Sequence, residues 1–105
     1  NRVKDEYNYI VETLCYNELI SRGYQVYVGK TYKGEVDFIA TRGEEKIYIQ
    51  AAYYLTDEAV IQREFGAYEA VPDHYPKYVI SMDKLPISRD GIIHMNLIDF
   101  CLKGI

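Results

Sequence analysis

Tryptophan is absent from the 105 residues, cysteine occurs twice and proline three times, and these scarcities remove whole classes of protein. Cys15 and Cys101 lie too far apart to make a disulfide framework or a zinc site, both of which need several closely spaced ligands. Cys15 falls in a helical pattern and Cys101 in a C-terminal apolar run, where buried thiols are common. A reducing cytoplasm is the simpler setting. No apolar stretch approaches the roughly 20 residues of a membrane span, and no basic-then-apolar leader opens the chain, so no membrane partner is expected. Positive charge is also short. Twelve Lys and Arg against 16 Asp and Glu leave a net charge of −4, and the basic residues are scattered singly. A general grip on a phosphate backbone needs a basic stripe. Nucleic acid is therefore bound locally, if at all, or with help from a larger protein. The chain opens on Asn1 rather than Met and stops soon after an apolar run, which reads as a piece of something longer.

What is present fits one domain with one core. Twelve tyrosines suit half-buried sheet faces and helix rims at least as well as a stacking surface. Residues from about Lys4 to Arg22 read as a helix that stops at Gly23, a C′ glycine. Its apolar stripe is Tyr7, Ile10, Val11, Leu14, Cys15 and Leu19. Strands follow at about 25–30, 34–40 and 45–53. Thr56 or Asp57 caps a second helix that reaches about Ala70 and presents Val60, Ile61, Phe65 and Tyr68. Lys77–Met82 is a nearly continuous apolar strand, as in a sheet covered on both faces. A loop with Pro86 and Asp90-Gly91 leads to a strand at 92–95 and a helix at about 97–102. The order is α-β-β-β-α-β followed by β-α. A helical crossover between the third and fourth strands implies a mixed sheet. The fold class is thus α/β, with a mixed central sheet and helices on both faces.

The stretch 34–53 carries the most chemistry. Glu35, Asp37 and Ile39 alternate with Val36, Phe38 and Ala40. Ile47, Ile49 and Ala51 alternate with Lys46, Tyr48, Gln50 and Ala52. A two-residue turn at Gly43-Glu44 sets Phe38 opposite Ile49 and Asp37 opposite Gln50. Asp37 facing Gln50, with Glu35 on the same row, is either a divalent-cation site, since Mg²⁺ or Mn²⁺ takes carboxylate and amide oxygens, or a solvated strand face. On the first helix, Glu18 falls inside the apolar stripe and Glu12 at its edge. A buried carboxylate needs a partner or a shifted pKa, and Arg22, one turn on, is the natural partner for Glu18. Glu64, among Val60, Phe65 and Tyr68 with Arg63 at the rim, reads as structural in the same way. His74 and His94 are weaker general-base candidates. Lys77 is either a cation that reaches a phosphate or a solvated residue at a strand start. Gly29-Lys30-Thr31 imitates the end of a phosphate-binding loop, but Tyr24 stands where its first glycine belongs and no helix follows.

The segments GYQVYVGK, EVDFIA, IYIQAAY, REF, DHYPKYVISMD and GIIHMNLIDF together resemble the C-terminal domain of bacterial and archaeal AAA-type ATPases. The resemblance covers nearly the whole chain. It implies the restriction-endonuclease, or PD-(D/E)xK, fold, in which a helix Glu, a strand Asp and an (Asp/Glu/Gln)-x-Lys hold a metal and prepare water. Carried over, Asp37 matches the Asp, Gln50 the first position of the second motif, and Glu12 the helix Glu, with Glu18 as the other choice. The Lys position is Ala52. Lys77 and Arg63 are the cations left to replace it. The resemblance implies a nuclease-like domain without cleavage activity, docked on its own ATPase core and binding DNA or protein. The alternatives are a metal-dependent endonuclease that uses Glu12, Asp37 and Gln50, and a pure protein-interaction module presenting Tyr48, Tyr53 and Tyr54.

Overall fold

A computed structural model describes residues 2–105. The first helix, α1 (Arg2–Ser21), precedes three strands, β1 (Gln25–Thr31), β2 (Gly34–Arg42) and β3 (Glu45–Ala51). Helix α2 (Glu58–Gly66) runs into a 3₁₀ turn (Ala67–Ala70), and then come β4 (Lys77–Ser81), β5 (Ile93–Asn96) and α3 (Leu97–Lys103). The protein is mixed α/β. Its five strands lie in sequence order in one sheet, antiparallel from β1 to β3 and parallel from β3 to β5.

Local signals explain most boundaries. Gly23 adopts φ +89°, the left-handed conformation that closes a helix, and Tyr24 N–H returns to Leu19 O at 3.0 Å. Asp57 caps α2 by accepting the Val60 N–H at 2.9 Å. The α-helix stops at Gly66, before the expected limit, and tightens into the 3₁₀ turn. Gly43, at φ +60°, makes the hairpin turn, closed by the Arg42–Glu45 pair, and Phe38 stands opposite Ile49, as the alternation requires.

Each face of the sheet has its own core. Val11, Cys15 and Leu19 of α1 pack with Leu97 and Phe100 of α3 over Ala40, Ile47, Ile49 and Ile80. On the opposite face, Val60 and Phe65 of α2, together with Tyr68, cover Val36, Tyr48, Ala52 and Val79. Two expectations change here. The α1 stripe is narrower than its apolar residues imply: Val11, Cys15 and Leu19 are buried, whereas Tyr7, Ile10 and Leu14 are 44–50% exposed. The alternation along β2 also breaks. Val36 joins the α2 face, while Phe38 and Ala40 face α1. The cause is a β-bulge: Tyr27 pairs with Ile39 but Gly29 with Val36, so Asp37 and Phe38 together oppose Val28. Among the described residues no helix is long and apolar enough to cross a membrane.

Candidate functional site

The bulge locates the site. The β2–β3 ladder ends at Phe38–Ile49, and side chains then bridge the diverging strands. The Asp37 N–H donates to Gln50 Oε1 at 2.7 Å, and the Ala51 N–H donates to Asp37 Oδ2 at 2.9 Å. Gln50 is 5% exposed. Its amide nitrogen reaches Glu64 O and Oε2, each at 3.4 Å. The amide oxygen must face Asp37, because only that orientation satisfies the Asp37 N–H. Gln50 therefore ties β2 to α2 and sets Asp37 and Glu64 side by side.

A cleft of about 520 Å³ opens over this junction, lined by Asn8 and Glu12 of α1, Glu35 and Asp37 of β2, Gln50, and Arg63 and Glu64 of α2. Three of its carboxyls are held above their ordinary range. Burial pushes Glu64 up to about 7, with the Asp37 charge adding and Arg63 opposing. Burial and then the Asp37 charge bring Glu12 to about 6. Asp37 is also raised, by burial first, against the lowering effect of the Ala51 N–H and with a further push from Glu35. Burial first and repulsion from neighbouring carboxyls second raise these groups, and Arg63 offsets part of the effect at Glu64. The nearest ion pair, Arg63 to Glu64 Oε1, spans 3.6 Å with Arg63 mostly exposed.

Glu12, Asp37 and Gln50, named from the sequence, do come together here. Glu64, read there as a structural carboxylate, joins them. The signal was present: a Glu in the apolar arc of the helix that packs on β3. The remaining candidates lie elsewhere. Glu18 is held by Arg22 at 2.7 Å, and Arg22 also donates to Cys101 O. That pair ties α1 to α3, outside the cleft. Lys77 Nζ donates to Asp73 O at 2.6 Å and Tyr75 O at 3.1 Å, which closes its own loop. It lines a second cleft of about 480 Å³ whose cations are already paired, Lys77 with Asp73 and Arg89 with Glu58. His74 borders that second cleft. His94 is buried against Ser81 Oγ at 2.7 Å, and burial lowers its pKa. Neither histidine joins the carboxylates.

The donor set suits a hard divalent cation, which prefers carboxylate oxygens and, for Mg²⁺, keeps several waters. Asp37 Oδ1 and both Glu12 oxygens have no protein donor among the described residues. Among the described residues no group of three or more His, Cys, Asp or Glu side chains is arranged to hold a metal ion, so a cation here would rest on two carboxylates and water. Ala52, which the resemblance sets where a Lys would stand, is 2% exposed. It packs with Leu55 and Val60 under α2, and its N–H is bonded to Ile80 O.

No family model matches the chain. It is 31% identical over 94 residues, 89% of its length, to an uncharacterized protein of Haemophilus influenzae. The chain spans 23% of that relative.

Proposed function

We propose that this chain is a restriction-endonuclease-like accessory domain of an AAA-type ATPase, one that holds a divalent cation at the Asp37 cleft and does not cut nucleic acid. The strand order supports the fold reading: an antiparallel β1–β3 meander followed by β4 parallel to β3 across α2. Helix α1 brings Glu12 to the splayed end of the meander, where such a fold keeps its acidic residues. The cation would be held by Asp37 and Glu12, with Glu64 close by and Gln50 fixing the geometry. When bound, it would neutralise the cleft and attract a phosphate oxygen.

One observation carries the absence of cleavage. The Lys position is Ala52, sealed in the α2-side core, and Lys77 is consumed by its own loop. Among the described residues no buried cation lines the cleft, and lack of such preorganised charge costs orders of magnitude in rate. The homologous segment of the Haemophilus influenzae relative is less than a quarter of that protein, in keeping with a module carried by a larger chain. Its setting is a reducing cytoplasm, where Cys15 and Cys101 stay free thiols. Calorimetric titration with Mn²⁺ tests this reading. Wild type binds one ion and Asp37→Ala loses it, while plasmid and oligonucleotide substrates stay intact with Mg²⁺ or Mn²⁺. Cleavage abolished by Asp37→Ala would reverse the conclusion in favour of an endonuclease.

A further inference from the structure

The β5 edge of the sheet holds a buried relay that the proposed function leaves unused. Ser81, at the end of β4, is fully buried. Its Oγ lies 2.7 Å from Asp83 Oδ2 and 2.7 Å from His94 Nε2 on β5, and it accepts the Asp83 N–H at 3.2 Å. A hydroxyl has one proton and two lone pairs, so three partners leave one consistent assignment. Asp83 Oδ2, which also accepts the Leu55 N–H at 2.8 Å, takes the serine proton. The reverse would set two oxygens 2.7 Å apart with no hydrogen between them. His94 Nε2 must then be the donor, which fixes the ring in its Nε2–H tautomer. Burial lowers the His94 pKa against the opposing Asp83 charge, which keeps the ring neutral at neutral pH.

Nδ1 is therefore a bare lone pair. It has no hydrogen-bond partner among the described residues, although His94 is only 6% exposed. No fully buried side-chain nitrogen or oxygen among them lacks a partner, so Nδ1 reaches solvent. The opening that His94 lines is a cleft of about 300 Å³. Lys84 and Pro86 of the loop after β4, Met95 of β5, and Asp99 and Lys103 of α3 form its other walls. Among the described residues, Lys84, Asp99 and Lys103 make no ion pair. Two acceptors, His94 Nδ1 and the Asp99 carboxylate, thus share a small cleft with two ammonium groups.

That mixture narrows the ligand. A simple anion would use the lysines but meet Asp99 and gain nothing from a lone pair. A simple cation has the opposite fault. A zwitterion satisfies all four groups, with an ammonium for the acceptors and a carboxylate for the lysines. The volume is at the small end for ligand pockets, and Pro86 and Met95 supply an apolar wall.

We propose that the cleft between β5, α3 and the loop after β4 binds a free α-amino acid, its ammonium on His94 Nδ1 and Asp99 and its carboxylate on Lys84 and Lys103. Asp83 and Ser81 are positioning residues: they turn the donor nitrogen of the ring inward and leave its acceptor for the ligand. The site shares no residue with the Asp37 cleft and goes beyond the proposed function, so either can fail without the other.

Calorimetry of the chain with L-leucine tests the site. N-acetyl-L-leucine, which lacks the ammonium, and L-leucinamide, which lacks the carboxylate, are titrated beside it. L-leucine should bind saturably, and each blocked form at least ten-fold more weakly. Lys103→Ala and Asp99→Asn, both at exposed positions, should each weaken L-leucine about ten-fold, the scale of one lost charge-assisted hydrogen bond. His94→Gln should do the same, since its amide still donates to Ser81 but offers the cleft no ring lone pair. If that variant melts early, the two exposed variants decide alone. Nitrogen-15 NMR of the His94 ring is an independent readout: Nδ1 should be unprotonated in the free protein and its resonance should move with L-leucine. No saturable binding, equal binding of N-acetyl-L-leucine, indifference to both exposed variants, or a protonated Nδ1 in the neutral ring overturns the proposal.

Discussion

Glu18 and Glu64 look alike in sequence, each a carboxylate within the apolar arc of a helix, yet they differ in what faces them. Glu18 meets Arg22 at 2.7 Å and is neutralised within its own turn. Glu64 meets Asp37 across the cleft, and its own Arg63 lies at 3.6 Å on the exposed side. No spacing rule separates the two, because the difference comes from tertiary neighbours. The consequence is measurable. A carboxyl raised from 4.5 to about 7 in the folded state binds a proton that the unfolded chain has released. Its contribution to stability is fully present below pH 4.5 and is lost as pH rises through 7. Glu64→Gln should therefore raise the unfolding temperature at pH 7.5 and leave it nearly unchanged at pH 4.5. Relief of about 1 kcal/mol corresponds to roughly 4–8 °C in a domain of this size. Thermal melts of both proteins across that range check it, and the difference curve cancels His94, whose lowered pKa gives the opposite slope. An equal shift at both pH values would mean that packing, and not charge, is responsible.

At the level of the elements, the β2–β3 hairpin was legible because turn chemistry and two apolar rows agree on one register. The bulge was not. Val36, Phe38 and Ala40 are all apolar, so an unbroken alternation looked satisfied, although Val36 belongs to the other face. Two residues did mark the break. Ile39 is an apolar residue in a row read as polar, and Gly29 is a glycine inside a strand, a common companion of bulges. The structure gives Gly29 its reason. A Cβ there would lie 3.1 Å from Val36 Cβ and 3.2 Å from Ile39 Cδ1, because the bulge brings both side chains to the same side beside it. Gly29→Ala should destabilise the domain by roughly 1–3 kcal/mol, the usual cost of overpacking. Because the bulge aims Asp37, the variant should also weaken Mn²⁺ binding. Urea unfolding and calorimetry on one preparation separate the effects: a stability loss with normal Mn²⁺ affinity would detach the bulge from the site.

For the whole molecule, the two cores are unequal. The α2 face is closed by one helix and its 3₁₀ turn, but the α1 face is only partly covered, because α3 is a seven-residue helix. That is why the α1 stripe read from sequence is too wide. The residues are apolar, but Ile10 and Leu14 stay about half exposed. Tyr9, Ile10, Leu14, Tyr16 and Ile20 are 43–65% exposed on a single helix. Apolar surface gathered in this way favours association. The chain by itself should therefore self-associate as its concentration rises, and Ile10→Lys with Leu14→Glu should shift it toward monomer. Both side chains are about half exposed already, so unfolding temperature should change little. Sedimentation velocity over a concentration series checks the first point and thermal melting the second. A wild type that stays monomeric throughout would mean that these side chains are individually tolerated surface residues. A double variant that melts early would place them in the core after all.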